Sequence, residues 1–132
     1  MSYDIIGPTL KTQSFEISFE YDILQVIFYD DIFVVCLNPL KNSRGSVIKG
    51  IENNVYGINP KGEIIWRIQD PREVYPDLQW HAYGAFFEIG QRPAGGYYDH
   101  SGSRGSFYAV AFSLHYHLDY RTGKVVAAGR TW

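Results

Sequence analysis

At 132 residues, with 45% hydrophobic and 20% charged residues and a net charge of −2, the chain is neither disordered nor fibrous, and it can bury a core of its own. Aromatic residues make up 17%, and aromatic side chains suit pleated, half-buried surfaces, so the composition leans towards strands. The single cysteine, Cys36, excludes an internal disulfide and a cysteine-rich metal framework; the lack of a charged-then-apolar leader or of ~18 consecutive apolar residues predicts a cytoplasmic protein with no membrane partner.

The charge is unevenly placed. Residues 1–35 hold Asp4, Glu16, Glu20, Asp22, Asp30 and Asp31 against Lys11 alone, a net −5, and the rest of the chain carries +3. An acidic N-terminal third argues against direct contact with nucleic acid, where a basic stripe is needed, and it suits a basic partner. In SFEISFEY (14–21), Phe15, Ile17, Phe19 and Tyr21 share one parity and Ser14, Glu16, Ser18 and Glu20 the other, which predicts a strand with one wet face. Two nearly continuous apolar strands follow at 23–29 and 32–37. Asp30-Asp31 forms the two-residue turn between them, because Asp tolerates positive φ. Asn38-Pro39 is expected to end the second of these strands, since proline cannot donate to a ladder.

After a polar connection at 39–50, Asn59-Pro60-Lys61-Gly62 fits a type I turn. Tyr56 and Ile58 on one arm, with Ile64, Trp66 and Ile68 on the other, form the core face of a β-hairpin. Asp70-Pro71-Arg72-Glu73 has the form of a helix start, and Pro76 ends it after about one turn. Residues 80–89 read as strand and 90–105 as a glycine-rich loop. From 107 to 120 the chain alternates, with Tyr108, Val110, Phe112, Leu114, Tyr116 and Leu118 at core parity. Either a tight reversal or a bend near Ser113 divides the run into two strands, and 124–131 forms the last one.

Two segments echo each other. Ile58-Asn59-Pro60-Lys61-Gly62-Glu63-Ile64 and Leu118-Asp119-Tyr120-Arg121-Thr122-Gly123-Lys124-Val125 both run apolar, Asx, basic turn residue, Gly, charge, apolar strand. The pattern "INPKGEIIW" and "LDYRTGKVV" resembles the hairpins of pyrroloquinoline-quinone-type propeller blades, although two hairpins cannot build a propeller. The larger order, "DDIFVVCLNP", "NNVYGINPKGEIIWRI", a glycine-rich middle and a terminal "LDYRTGKVV", is similar to small bacterial immunity proteins of polymorphic-toxin and contact-dependent inhibition systems. That resemblance implies a non-enzymatic protein that binds a cognate toxin domain, possible nucleases among them, and blocks its active site or substrate surface. The fold expected is all-β over residues 1–132: an antiparallel meander of about eight strands, curled into a β-sandwich or partly open barrel with two propeller-like hairpins.

Catalytic chemistry finds little support. His115-x-His117-x-Asp119 puts three ligand types on one strand, but the ordinary alternative is a wet strand face opposite Tyr116 and Leu118, with Asp119 occupied in its turn. Cys36 lies in an apolar run, where burial raises a thiol pKa. His81 and His100 could serve acid–base chemistry only if the fold brought them together. No phosphate or dinucleotide loop occurs, so neither cofactor nor metal is expected. The candidate partner-binding residues are therefore the acidic Glu16, Glu20, Asp30 and Asp31, together with Tyr97, Tyr98, Asp99, His100 and Arg104 in the glycine-rich loop, Tyr and Arg being the types that anchor interfaces. Two other readings stand beside this one. One is a small propeller-like interaction domain without a toxin partner, and the other is a histidine-dependent enzyme.

Overall fold

The computed structural model describes residues 2–42, 51–75, 85–93, 105–111 and 114–130. Among them the fold is all-β, apart from one helical turn, α1 (Pro71–Val74). Three antiparallel sheets form, and none closes into a barrel. The first contains β1 (Tyr3–Ile6), β2 (Thr9–Thr12) and β3 (Glu16–Ser18) in chain order. The central sheet contains β4 (Tyr21–Tyr29), β5 (Ile32–Asn42), β6 (Val55–Ile58) and β7 (Ile64–Arg67), again in chain order. The third contains β8 (Glu88–Pro93), β9 (Gly105–Ala111), β10 (Leu114–Leu118) and β11 (Val125–Arg130), each paired with its chain neighbour.

The meander rests on local turn chemistry. Gly7, at φ +57°, opens the reversal that pairs Ile6 with Thr9, and Asp30 and Asp31, at φ 49° and 61°, make the two-residue turn that their position predicts. The two echoing turns are built alike. The Asn59 Oδ1 accepts from the backbone N–H of Lys61 at 3.0 Å, and the Asp119 Oδ1 accepts from that of Arg121 at 2.9 Å. Gly62 and Gly123 take the positive-φ corners at +82° and +73°.

The central sheet is covered on both faces, and this explains the unbroken apolar runs of β4 and β5. Alternation along β5 sends Phe33, Val35 and Leu37 into one core with Leu10, Tyr21 and Ile58, against which Phe15, Ile17 and Phe19 of the first sheet pack. It sends Val34 and Cys36 into a second core with Val55, Trp66, Ile89, Phe107 and Tyr116. The facing expected over 14–21 holds, its four aromatic or aliphatic residues packing inward while Ser14, Glu16, Ser18 and Glu20 are exposed, but the strand itself is only Glu16–Ser18, and Tyr21 already opens β4.

Side-chain amides join the central and third sheets. Gln25 donates to the Ile89 carbonyl at 2.7 Å and accepts from its N–H at 2.9 Å. The fully buried Asn54 donates to the carbonyls of Leu37 and Phe86, both at 2.7 Å, and accepts from the Phe86 N–H at 2.7 Å. Each amide satisfies backbone groups that no ladder reaches. Trp66 also crosses the junction. Its Nε1 donates to the Tyr120 carbonyl at 2.8 Å, and its ring lies so close to Gly57 and Gly123 that a Cβ there would fall 2.2 Å and 2.6 Å from it. The first hairpin therefore docks its tryptophan on the turn of its echo.

Several expectations are corrected. The all-β antiparallel meander holds, but it has eleven described strands in three sheets where about eight are expected. Asn38-Pro39 does not end β5, which continues to Asn42; Pro39 lies where the register against β4 shifts, so no regular ladder N–H is required of it. Tyr56 and Ile58 face the first core while Trp66 and Ile68 face the second, and Ile64 is 50% exposed because the β6–β7 register slips between Gly57 and Ile58. Of the strand expected at 80–89, residues 80–84 lie outside those described and 85–87 are not strand; β8 begins at Glu88 and runs through Gly90 to Pro93, into the stretch expected as loop. Gly90 pairs with Tyr108, whose ring covers it. The reversal near Ser113 is confirmed by Ala111 pairing with Leu114. It also inverts the parity. Tyr116 faces Ala109 and Leu118 faces Phe107, so the core residues of β9 are Phe107, Ala109 and Ala111, while Tyr108 and Val110 are half-buried on the other side.

Candidate functional site

The first sheet displays its charge in cross-strand rows. Asp4, Lys11 and Glu16 stand directly opposite one another across β1, β2 and β3, all exposed, so one lysine separates two carboxylates. The next outward row is Ile6, Thr9 and Ser18, with the two hydroxyls hydrogen-bonded at 2.7 Å. Glu20 is exposed in the bend before β4. Glu16 is on β3 and Glu20 in the bend beyond its end, so the two do not share one strand face as their parity predicts, although both are exposed.

Asp30 and Asp31 are at the far end of β4. Ten residues of strand at ~3.3 Å each put Glu20 and Asp30 roughly 25–30 Å apart once the irregularities in β4 are allowed for. A standard interface of about 800 Å² per partner is a disc roughly 30 Å across, so the two acidic sites fit only as opposite rims of one contact. Their electrostatics also differ. The hydroxyl of Tyr120 donates to the Asp30 carboxylate at 2.6 Å and Arg121 approaches it at 3.4 Å; the tyrosine bond first, and then the arginine, hold the Asp30 carboxyl below its ordinary pKa. Asp30 is thus partly committed to tying the β4–β5 turn to the β10–β11 turn, beside the tilted and edge-on ring contacts of Tyr29, Tyr120 and Phe107. Asp31, beside it, is exposed.

The second group of candidates, Tyr97, Tyr98, Asp99, His100 and Arg104, lies outside the described residues, as does His81. His115 and His117 do oppose Tyr116 and Leu118 on β10, but that face is not wet: they are 6% and 2% exposed, with ring centroids 5.3 Å apart. The third sheet, like the central one, is covered on both sides along β10. Asp119 is held in its turn, its carbonyl accepting from Gly123 at 2.7 Å. Among the described residues no group of three or more His, Cys, Asp or Glu could hold a metal. Burial pushes the Cys36 thiol up to about 12, so it is protonated at neutral pH and a poor nucleophile, as its apolar run predicts.

Two features had no clear mark in the sequence. One is the ionic latch at α1, where Arg72 meets Asp70 at 2.7 Å and Glu52 at 2.6 Å. Arg67 holds the same turn through the carbonyls of Asn53 at 2.9 Å and Glu52 at 2.7 Å. The other is β1 itself. At four residues it is too short for alternation to register, and Gly7-Pro8 is its one sequence signal.

A family model described as Domain of unknown function (DUF7957) matches residues 1–84. That span contains the first and central sheets and the candidates Glu16, Glu20, Asp30 and Asp31, and it stops before the third sheet and the tyrosine–glycine segment with Asp99. No curated protein and no solved structure matches the chain. No helix among the described residues is long and apolar enough to cross a membrane.

Proposed function

The chain belongs to the DUF7957 family, and from the surfaces of this member we propose that it is a non-enzymatic, cytoplasmic immunity protein that binds a cognate bacterial toxin domain and blocks its active site or substrate surface. The observation that carries this reading is the exposed acidic surface of the family-matched part, Glu16 and Glu20 on and beside the first sheet and Asp31 at the β4–β5 tip, where Lys11 on β2 and Arg121 beside Asp30 offset only part of the charge. A nuclease needs a basic cleft to hold its phosphate backbone, and an acidic inhibitor surface can fill that cleft by complementarity. Binding of this kind needs rigid presentation more than a catalytic set, and the first sheet is supported from beneath by the aromatic core around Phe33. A second reading, an interaction domain without a toxin partner, draws on the docking of Trp66 across the two echoing turns, a purely structural use of the propeller-like hairpins.

Co-expression with the polypeptide encoded immediately upstream tests the proposal. The expected result is a stable complex and protection of cells from that polypeptide. A neighbour that neither binds nor is neutralised would overturn it.

A further inference from the structure

Sheet edges are the places where a β protein meets other chains, and most edges of this one are guarded. β8 ends in Pro93, β4 is joined to β8 through Gln25, and the ladders of β4, β7 and β11 each carry a register slip. β3 is only three residues long. β1 differs from all of them. It pairs with β2 alone among the described strands, in unbroken register, and Tyr3-Asp4-Ile5-Ile6 contains no proline, lysine or bulge. Ile5 and Ile6 are 44% and 60% exposed. In an antiparallel ladder every second residue of an edge strand turns its N–H and C=O outward, so β1 offers backbone groups that no other described strand pairs, beside exposed apolar side chains.

We propose that the open edge of β1 is the docking site, and that the partner fills it by adding an extended strand in which lysine or arginine alternates with apolar residues. This rests on the binding role proposed above and specifies its geometry. The register dictates the chemistry of the added strand. Across the sheet, Asp4, Lys11 and Glu16 form a row that reads minus, plus, minus, and a cation placed beside Asp4 continues the alternation. One residue along, Ile5 shares its face with Leu10 and Ile17, so its new neighbour is apolar. Main-chain bonds then supply affinity and the alternating side chains supply specificity. A second copy of the chain is a poorer occupant, because β1 paired with β1 brings Asp4 no cation.

The test uses the full chain and two short peptides, one alternating valine with lysine and the other valine with glutamate, followed by amide hydrogen exchange and peptide anisotropy. The lysine peptide is expected to protect β1 amides selectively, and Asp4→Lys to weaken its binding roughly fivefold while favouring the glutamate peptide. Ile6→Lys, which places a guarding charge on an exposed position, should also abolish that protection without unfolding the chain. Equal binding of both peptides, protection confined to β7 or β11, or a concentration-dependent dimer that Ile6→Lys dissolves would each overturn the proposal. A toxin domain that binds without protecting β1 sinks this inference and leaves the proposed function standing. Lysine-peptide binding at β1 with no toxin complex does the reverse.

Discussion

Asp70 accepts from the backbone N–H of Arg72 at 2.9 Å, capping α1, and pairs with the guanidinium of the same residue. The Arg72 guanidinium, the backbone bond and Asn53 together hold its carboxyl down to about 2, well below the ordinary 3.8. A depressed carboxyl stabilises the fold above its unfolded pKa, and that contribution fades as pH falls from about 4 towards 2. The full shift would be worth more, but the Arg72 side chain is 37% exposed, and screening reduces the pair to about 1 kcal/mol. Asp70→Asn keeps a competent cap and removes the charge. Urea unfolding should show it less stable than the parent by about 1 kcal/mol at neutral pH, with the difference gone near pH 2. A pH-independent difference would mean that the latch is steric.

Among the elements, the junction of hairpin and echo is the most constrained. The Trp66 indole occupies the space a side chain at Gly57 would need, and Gly57 is flanked by the buried Val55 and Ile58. Gly57→Ala should therefore lower stability by ~2 kcal/mol, seen as an earlier urea midpoint. An unchanged midpoint would mean the ring swings aside at no cost. The same junction shows what was legible. Turn chemistry at Asp30-Asp31, Asn59–Gly62 and Asp119–Gly123 is local, so residue types alone specify it. Alternation at 14–21 was readable because one face there meets water. It misassigned Tyr108 because a two-residue reversal inverts parity, and it misjudged His115 and His117 because strands buried on both faces carry polar residues whose cover comes from elsewhere. The acidic candidates were legible as exposed residues. Their division between the two ends of β4, and the edge position of Asp4, depend on pairing that no local pattern encodes.

Taken whole, the molecule is a central sheet lined by two apolar cores, with an acidic sheet on one side and an amide-clamped sheet on the other. On the proposed function, this arrangement separates stability from recognition. The clamps of Gln25 and Asn54 lie on the third-sheet side, while the exposed Glu16, Glu20 and Asp31 stand on and beside the first sheet and at the β4–β5 tip, outside both cores. Electrostatic recognition through such a surface acts mainly on the rate of association, and salt screens it. The decisive measurement for the proposed function is the association rate of the chain with the polypeptide encoded immediately upstream, from ~0.05 M to ~0.5 M salt, for the parent and for Glu16→Gln/Glu20→Gln/Asp31→Asn. The parent rate should fall roughly tenfold or more across that range, and the neutralised variant should start slower and change little. Identical rates and identical salt dependence for the two proteins would contradict an acidic binding surface.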